Sequence, residues 1–210
     1  MLFWAIWMVK NAKLLGEVPN PDPIADFLRV TCSLSQPVSH GVSPRWLCPP
    51  IGRLKLNVDW AWDKEHCIRG VGIIIRNAEG NFVGAATRVF MEMFSPIQVE
   101  ALAMRVGLEL VVERGLIKIN IESDALHIVL AVLKSSMNSS PMGPIIEDTK
   151  FLLALVVEAS VAHIHPQANL VAHHLARFAL HSRGNYTWFN EPPLIISDLL
   201  VGDVSLPCTN

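Results

Sequence analysis

The chain has 210 residues, 51% of them hydrophobic and 17% charged; this excludes a disordered protein and suffices for one full core with about 50 residues of appendage. A net charge of −2 and a pI near 6.4 announce no strongly basic binder of nucleic acid, so any such contact must come from a local patch or through metal ions. The four cysteines, Cys32, Cys48, Cys67 and Cys208, form no CxxC pair, which argues against a zinc ribbon or a dense disulfide framework and for a reducing, intracellular compartment, nuclear or cytoplasmic.

The apolar run Leu2–Val9 is less than half the length of a membrane span, with no basic segment before it and no small-residue cleavage site after it. It predicts neither an anchor nor a signal peptide. Residues 3–15 have helical character, with Trp4 and Trp7 one turn apart and Lys10 and Lys13 following. We divide the chain into an N-terminal helix over 1–17 and a linker over 18–52, the latter dense in proline (Pro19, Pro21, Pro23, Pro37, Pro44, Pro49, Pro50). A catalytic-type domain over 53–183 and a C-terminal tail over 184–210 complete the division.

From Leu54 the pattern changes. Leu54, Leu56, Val58, Trp60 and Trp62 alternate with Lys55, Asn57, Asp59 and Ala61, the period-two signature of a strand. Further strands are predicted over 71–76 and 82–90, with a turn at Gly80 between them, giving an antiparallel meander. Ser95, Pro96 and Gln98 then mark a helix start with an S-x-x-Q capping box. Ile97, Ala101, Met104, Leu108 and Val111 form its apolar stripe, and Gly115 provides the stop. A strand at 117–121, helices at 124–133 and 145–157, a strand at 161–165 and a helix at 168–181 follow. The order β-β-β-α-β-α-α-β-α predicts an α/β fold with a five-stranded mixed sheet flanked by helices.

Three acids stand where an acid is costly unless used. Asp59 lies inside the first strand among apolar neighbours, Glu100 at the edge of the buried stripe of the first helix, and Asp124 where the fourth strand gives way to a helix. If the first and fourth strands are adjacent and parallel, Asp59 and Asp124 come within roughly 5–10 Å of each other. Carboxylates so close need a compensating charge, and oxygen-rich sites suit Mg²⁺ or Mn²⁺. A pair of such ions activates water and stabilises the leaving oxygen at a phosphodiester. Simpler readings stand beside this one: Asp124 as a helix N-cap and Glu100 as a favourable charge near a helix N-terminus.

The segments WLCPPIGRLKLNVDWAW, GVGIIIRNAEGNF, IQVEALAMRVGLEL, NIESDALHIV and ANLVAHHLARFAL resemble, in order and spacing, the blocks of the plant retrotransposon-type ribonuclease H family, over about residues 46–181. WAIWMVKN is similar to the tryptophan-rich helix that precedes the domain in those polyproteins, so the chain is expected to carry a remnant of an upstream region. The resemblance implies a ribonuclease H-like fold and metal-dependent hydrolysis of RNA in RNA–DNA hybrids. It places Asp59, Glu100 and Asp124 on three of the family's four metal-binding acids.

The sequence departs from the family at two positions. The fourth acid is replaced by His173, one helical turn after Asn169 and so pointing the same way. It is either a nitrogen ligand or an ordinary helix histidine. Trp60 stands where the family has a glycine that lets the RNA backbone approach. It either packs in the core or narrows the substrate path. Asn57, Trp60 and Asn169 are the expected substrate contacts. A zinc site built from His163, His165, His173 and His174 has no recognised ligand spacing behind it. A monomer acting on an RNA–DNA hybrid is the leading expectation. A domesticated copy that binds nucleic acid without cutting it is the alternative, favoured by His173, Trp60 and the absence of net positive charge.

Overall fold

The computed structural model describes residues 45–91, 95–136 and 140–204. The predicted helix at 3–15 and most of the proline-rich segment lie outside the described residues. Three antiparallel strands come first: β1 (Leu54–Asp63), β2 (Ile68–Arg76) and β3 (Phe82–Phe90). Helix α1 (Pro96–Glu113) leads to β4 (Ile119–Ser123), then α2 (Leu126–Leu133), α3 (Gly143–Ala154), β5 (Ala159–His163) and α4 (Leu170–Ser182). A short strand β6 (Tyr186–Trp188) and a last helix α5 (Ser197–Val204) close the described chain.

The sheet order is β5-β4-β1-β2-β3-β6. β4 and β5 join parallel to β1 and to each other, because each follows a helical crossover. The sheet thus has six strands and not five. β6, three residues long, pairs antiparallel with the outer side of β3. The segment expected as a C-terminal tail supplies this strand and α5, so residues 186–204 extend the domain. The linker expectation also ends early, because Trp46 is 3% exposed and packed on the sheet.

Helices cover both faces. Leu56, Val58, Val71, Ile73 and Ile75 face α1, with α2 and α3 behind it. Each such buried side chain contributes about 2 kcal/mol of hydrophobic stabilisation. The capping box holds, with the Ser95 amide donating to Gln98 Oε1 at 2.9 Å. Met104, Leu108 and Val111 are buried as the stripe predicts, whereas Ile97, in the first turn, is exposed. On the other face Ile74 and Ala85 pack with Val171, Ala172 and Leu175 of α4 and with Ile196.

This second face explains why the alternation in β1 misleads as a guide to exposure. Lys55, Asn57 and Asp59 form its polar half, yet all three are buried. At the lower end they form a polar network. Lys55 Nζ lies 2.7 Å from Glu122 Oε1, and Asn57 Nδ2 donates to Glu122 Oε2 at 3.0 Å. Trp46 Nε1 donates to Asn57 Oδ1 at 2.9 Å. Arg76, 1% exposed, stacks 3.5 Å from the centre of the Trp46 ring and donates to Asp203 Oδ2 at 2.6 Å. Burial pushes the guanidinium below its ordinary pKa, while Asp203 and Glu122 hold it charged. The chain on either side of the sheet is therefore fastened to one buried cation.

Candidate active site

β1 and β4 run side by side with Val58 opposite Ser123. The next residue on each strand is an acid, so Asp59 and Asp124 stand against one another where the two strands end their pairing. Asp59 is 7% exposed. Its Oδ1 accepts from the Trp60 amide at 2.7 Å, and its Oδ2 lies 2.8 Å from Nδ1 of His173. Burial, with the negative charge of Asp124 added, raises the Asp59 pKa above the ordinary carboxylate value, against the lowering hydrogen bond from His173. The same hydrogen bond raises the pKa of His173. A carboxylate can only accept, so the Nδ1 proton of His173 is directed at Asp59.

α4 reaches Asp59 because β2 carries glycine at the two positions beneath it, Gly70 and Gly72. Asp59 pairs with Gly72, and Ala61 with Gly70. A Cβ on Gly72 would sit 2.1 Å from the Ala172 carbonyl oxygen and 2.3 Å from the Ala176 nitrogen; one on Gly70 would meet the Ala176 carbonyl at 2.3 Å. The helix backbone rests directly on the strand. That approach carries His173 to Asp59 and Asn169 to Asp124. The Asn169 amide donates to the Val58 carbonyl at 2.9 Å and to Asp124 Oδ1 at 3.2 Å. The inference that Asn169 and His173 point the same way holds in the geometry: each meets one of the two acids.

Glu100 comes to the site from the opposite face. Trp60 points toward α1, packs against the main core as expected, and donates through Nε1 to Glu100 Oε1 at 3.2 Å. Glu100 Oε2 lies 2.5 Å from Nε2 of His127. The contact does not have the geometry of a hydrogen bond, and Oε2 is buried without one. The structure thus brings Asp59, Asp124 and His173 together and holds Glu100 across β1 with two partners of its own. Asn57 is 1% exposed and committed to Trp46, Arg76 and Glu122. Its side chain thus ties Trp46, β2 and β4 together. Asn169 is equally buried and orients Asp124.

A hard divalent cation is matched by donor type: three carboxylates border the site, and Glu100 Oε2 and Asn169 Oδ1 are buried oxygens with no hydrogen bond. As placed, no three acidic, histidine or cysteine side chains among the described residues converge closely enough to hold an ion. Each acid instead answers to a protein donor. His163 contacts the Asp124 carbonyl at 3.2 Å and lies with its ring 6.3 Å from that of His165. Sequence reasoning gave no role to His127 and attached no weight to Gly70 and Gly72. The G-x-G alternation inside a strand was the available signal, since it marks a close backbone approach; nothing in the sequence marked His127.

The sequence profile described as reverse transcriptase-like matches residues 57–179. No curated protein sequence matches the chain. Among solved structures, ribonuclease H1 from the archaeon Halobacterium salinarum is similar at 20% identity with a TM-score of 0.57, covering 62% of this chain and 99% of its own. The N-terminal ribonuclease H domain of a Mycobacterium tuberculosis protein is similar at 12% identity and TM-score 0.54, covering 63% of this chain and 99% of its own. LC11 ribonuclease H1, solved in complex with an RNA/DNA hybrid, is similar at 17% identity and TM-score 0.53, covering 62% of this chain and 99% of its own.

Proposed function

The chain belongs to the reverse transcriptase-like family, and from that premise we propose that it acts on RNA–DNA hybrids as a metal-dependent endonuclease, cutting the RNA strand. The observation that carries the reading is that Asp59 and Asp124 each follow the last paired residues of β1 and β4, Val58 and Ser123, beneath a helix that delivers His173 and Asn169. A buried Asp59 with half-buried Asp124 beside it, in the middle of the sheet, weakens the fold unless a cation or a proton offsets the charge. Asp59, Asp124 and Glu100 would hold Mg²⁺ or Mn²⁺, which when bound would lower the pKa of water and neutralise charge on the phosphodiester.

The chain's own residues do the rest. Asn169 fixes the orientation of Asp124 through its amide. Trp60 fixes that of Glu100, so the residue that replaces a small glycine serves the third acid. His173 keeps a proton at Nδ1 against Asp59, which offsets the carboxylate charge until a cation takes that place. Recognition of the hybrid would rest on backbone shape and 2′-hydroxyls and not on base sequence. Incubating the purified chain with a labelled RNA–DNA hybrid, with Mn²⁺ or with EDTA, tests the proposal. Metal-dependent shortening of the RNA strand supports it, and an intact strand under both conditions overturns it.

A second reading has one specific observation in its favour. His173 caps Asp59 while Trp60 and His127 contact Glu100, so these two acids already have partners within the protein. On that reading the domain binds hybrids without cutting them. Retained affinity for the hybrid with no cleavage in Mn²⁺ would identify it. The setting in a retrotransposon polyprotein rests on the sequence resemblance. No helix among the described residues is long and apolar enough to cross a membrane.

A further inference from the structure

Beside His173 the turn joining β1 to β2 and the exposed flank of α4 enclose an open groove of about 880 Å³. Trp62, three residues beyond Asp59, stands on its wall with 41% of its surface exposed. An exposed tryptophan at the end of a strand contributes little to packing, and here its ring is bordered by cations. Lys64 Nζ lies 5.3 Å from the ring centroid and the Arg69 guanidinium 5.7 Å. Arg177 on α4 and Arg183 at its C-terminus complete the wall. Among the described residues no carboxylate pairs with Lys64, Arg177 or Arg183. Two acids also line the groove. Asp63 is taken by His66 Nδ1 at 2.8 Å and by the amides of Glu65 and His66, and Glu65 is exposed.

We propose that this groove is a subsite for a single strand running off the hybrid, with an unpaired base stacked on Trp62 and the neighbouring phosphates held by Arg177 and Arg183. The inference rests on the hybrid-binding reading, because His173 both lines the groove and contacts Asp59. A base inside a duplex has both faces covered by its neighbours and cannot stack on the exposed face of Trp62, whereas an unpaired base can. Aromatic stacking next to cationic side chains is the usual way to hold single strands without reading their sequence. The groove also supplies the local positive patch that a chain of net charge −2 needs to hold a polyanion.

The test is equilibrium binding of the full chain in EDTA, followed by fluorescence anisotropy. The probes are a blunt RNA–DNA hybrid, the same hybrid with a short overhang on the RNA or the DNA strand, and the overhang sequence alone. The overhang should tighten binding about tenfold, and comparison of the two overhangs identifies which strand the groove takes. Trp62→Ala should remove that gain and leave the blunt hybrid unchanged, while Trp62→Phe, which keeps an aromatic face, should retain most of it. Arg177→Ala and Arg183→Ala should each weaken the overhang complex and reduce its salt dependence. An overhang without effect on the unaltered protein, or a gain that survives Trp62→Ala, overturns the subsite. If the blunt hybrid fails to bind while the single strand binds and depends on Trp62, the groove stands and the hybrid reading falls. If neither binds, both fall.

Discussion

Nδ1 of His173 on α4 lies 2.8 Å from Oδ2 of Asp59 on β1, and the two residues meet only because Gly70 and Gly72 let the helix backbone lie on the strand. The contact links the fold to the chemistry: the position where a fourth acid is expected instead supplies a proton to the first.

Asp59→Asn should abolish metal-dependent cleavage and raise the melting temperature of the metal-free protein by about 3 °C. The substitution removes a carboxylate whose pKa is raised by burial and by Asp124, and keeps an oxygen that accepts from His173. Cleavage assays beside thermal melts in EDTA check both halves. Full activity in the variant would show that Asp59 is structural.

The pair with Asp59 makes the contribution of His173 to stability dependent on pH. Its folded pKa is raised above the ordinary value, chiefly by the hydrogen bond it donates to Asp59. Its contribution is therefore fully present below about pH 6.5, the unfolded value, and is lost as pH rises through the folded one. In EDTA the melting temperature of the unaltered protein should exceed that of His173→Ala at about pH 6, and the gap should narrow toward about pH 9. A gap independent of pH would mean that packing, and not the proton, is what His173 contributes.

Gly72→Ala should destabilise the fold by about 3 kcal/mol and abolish activity. The new methyl group would meet helix backbone, which cannot step aside as a flexible side chain can. Denaturant unfolding gives the stability, and the cleavage assay shows whether lifting α4 separates His173 from Asp59. An unchanged midpoint would contradict the close approach.

Asp203→Ala should cost about 3 kcal/mol, because it leaves the buried Arg76 guanidinium without its carboxylate. Removing residues 184–210 should cost more, since Ile196 and the edge strand β6 leave with it. Chemical denaturation of both variants checks the order. A truncated chain as stable as the parent would restore the view of this segment as a tail.

The sequence was informative where one face of an element is buried against one neighbour. The alternation Leu56, Val58 and Trp60, the capping box at Ser95 and the stop at Gly115 each express such a local rule, and each element lies within a few residues of its expected place. The parallel pairing of β1 with β4, which brings Asp59 beside Asp124, followed from crossover logic. What was not legible depends on partners distant in the chain. Asn57 looks like a surface residue until Trp46, Arg76 and Glu122 are brought round it. Tyr186–Trp188 is too short to show a period, and it is a strand only because β3 offers an open edge. His127 gains significance only from Glu100, which reaches it from another helix.

The buried guanidinium of Arg76 also bears on how the chain is made. Its carboxylate partner lies 127 residues later, so at about 5–20 residues per second the ribosome delivers Asp203 roughly 6–25 s after Arg76. Until then the centre of the sheet can pair, with Glu122 as a counter-charge, Asn57 as an acceptor and Trp46 stacked on the guanidinium, but without the carboxylate that accepts its hydrogen bond. Docking of α5 is then the step that completes this ion pair. A chain stalled before Asp203 is the nascent species on which chaperones and proteases act most readily.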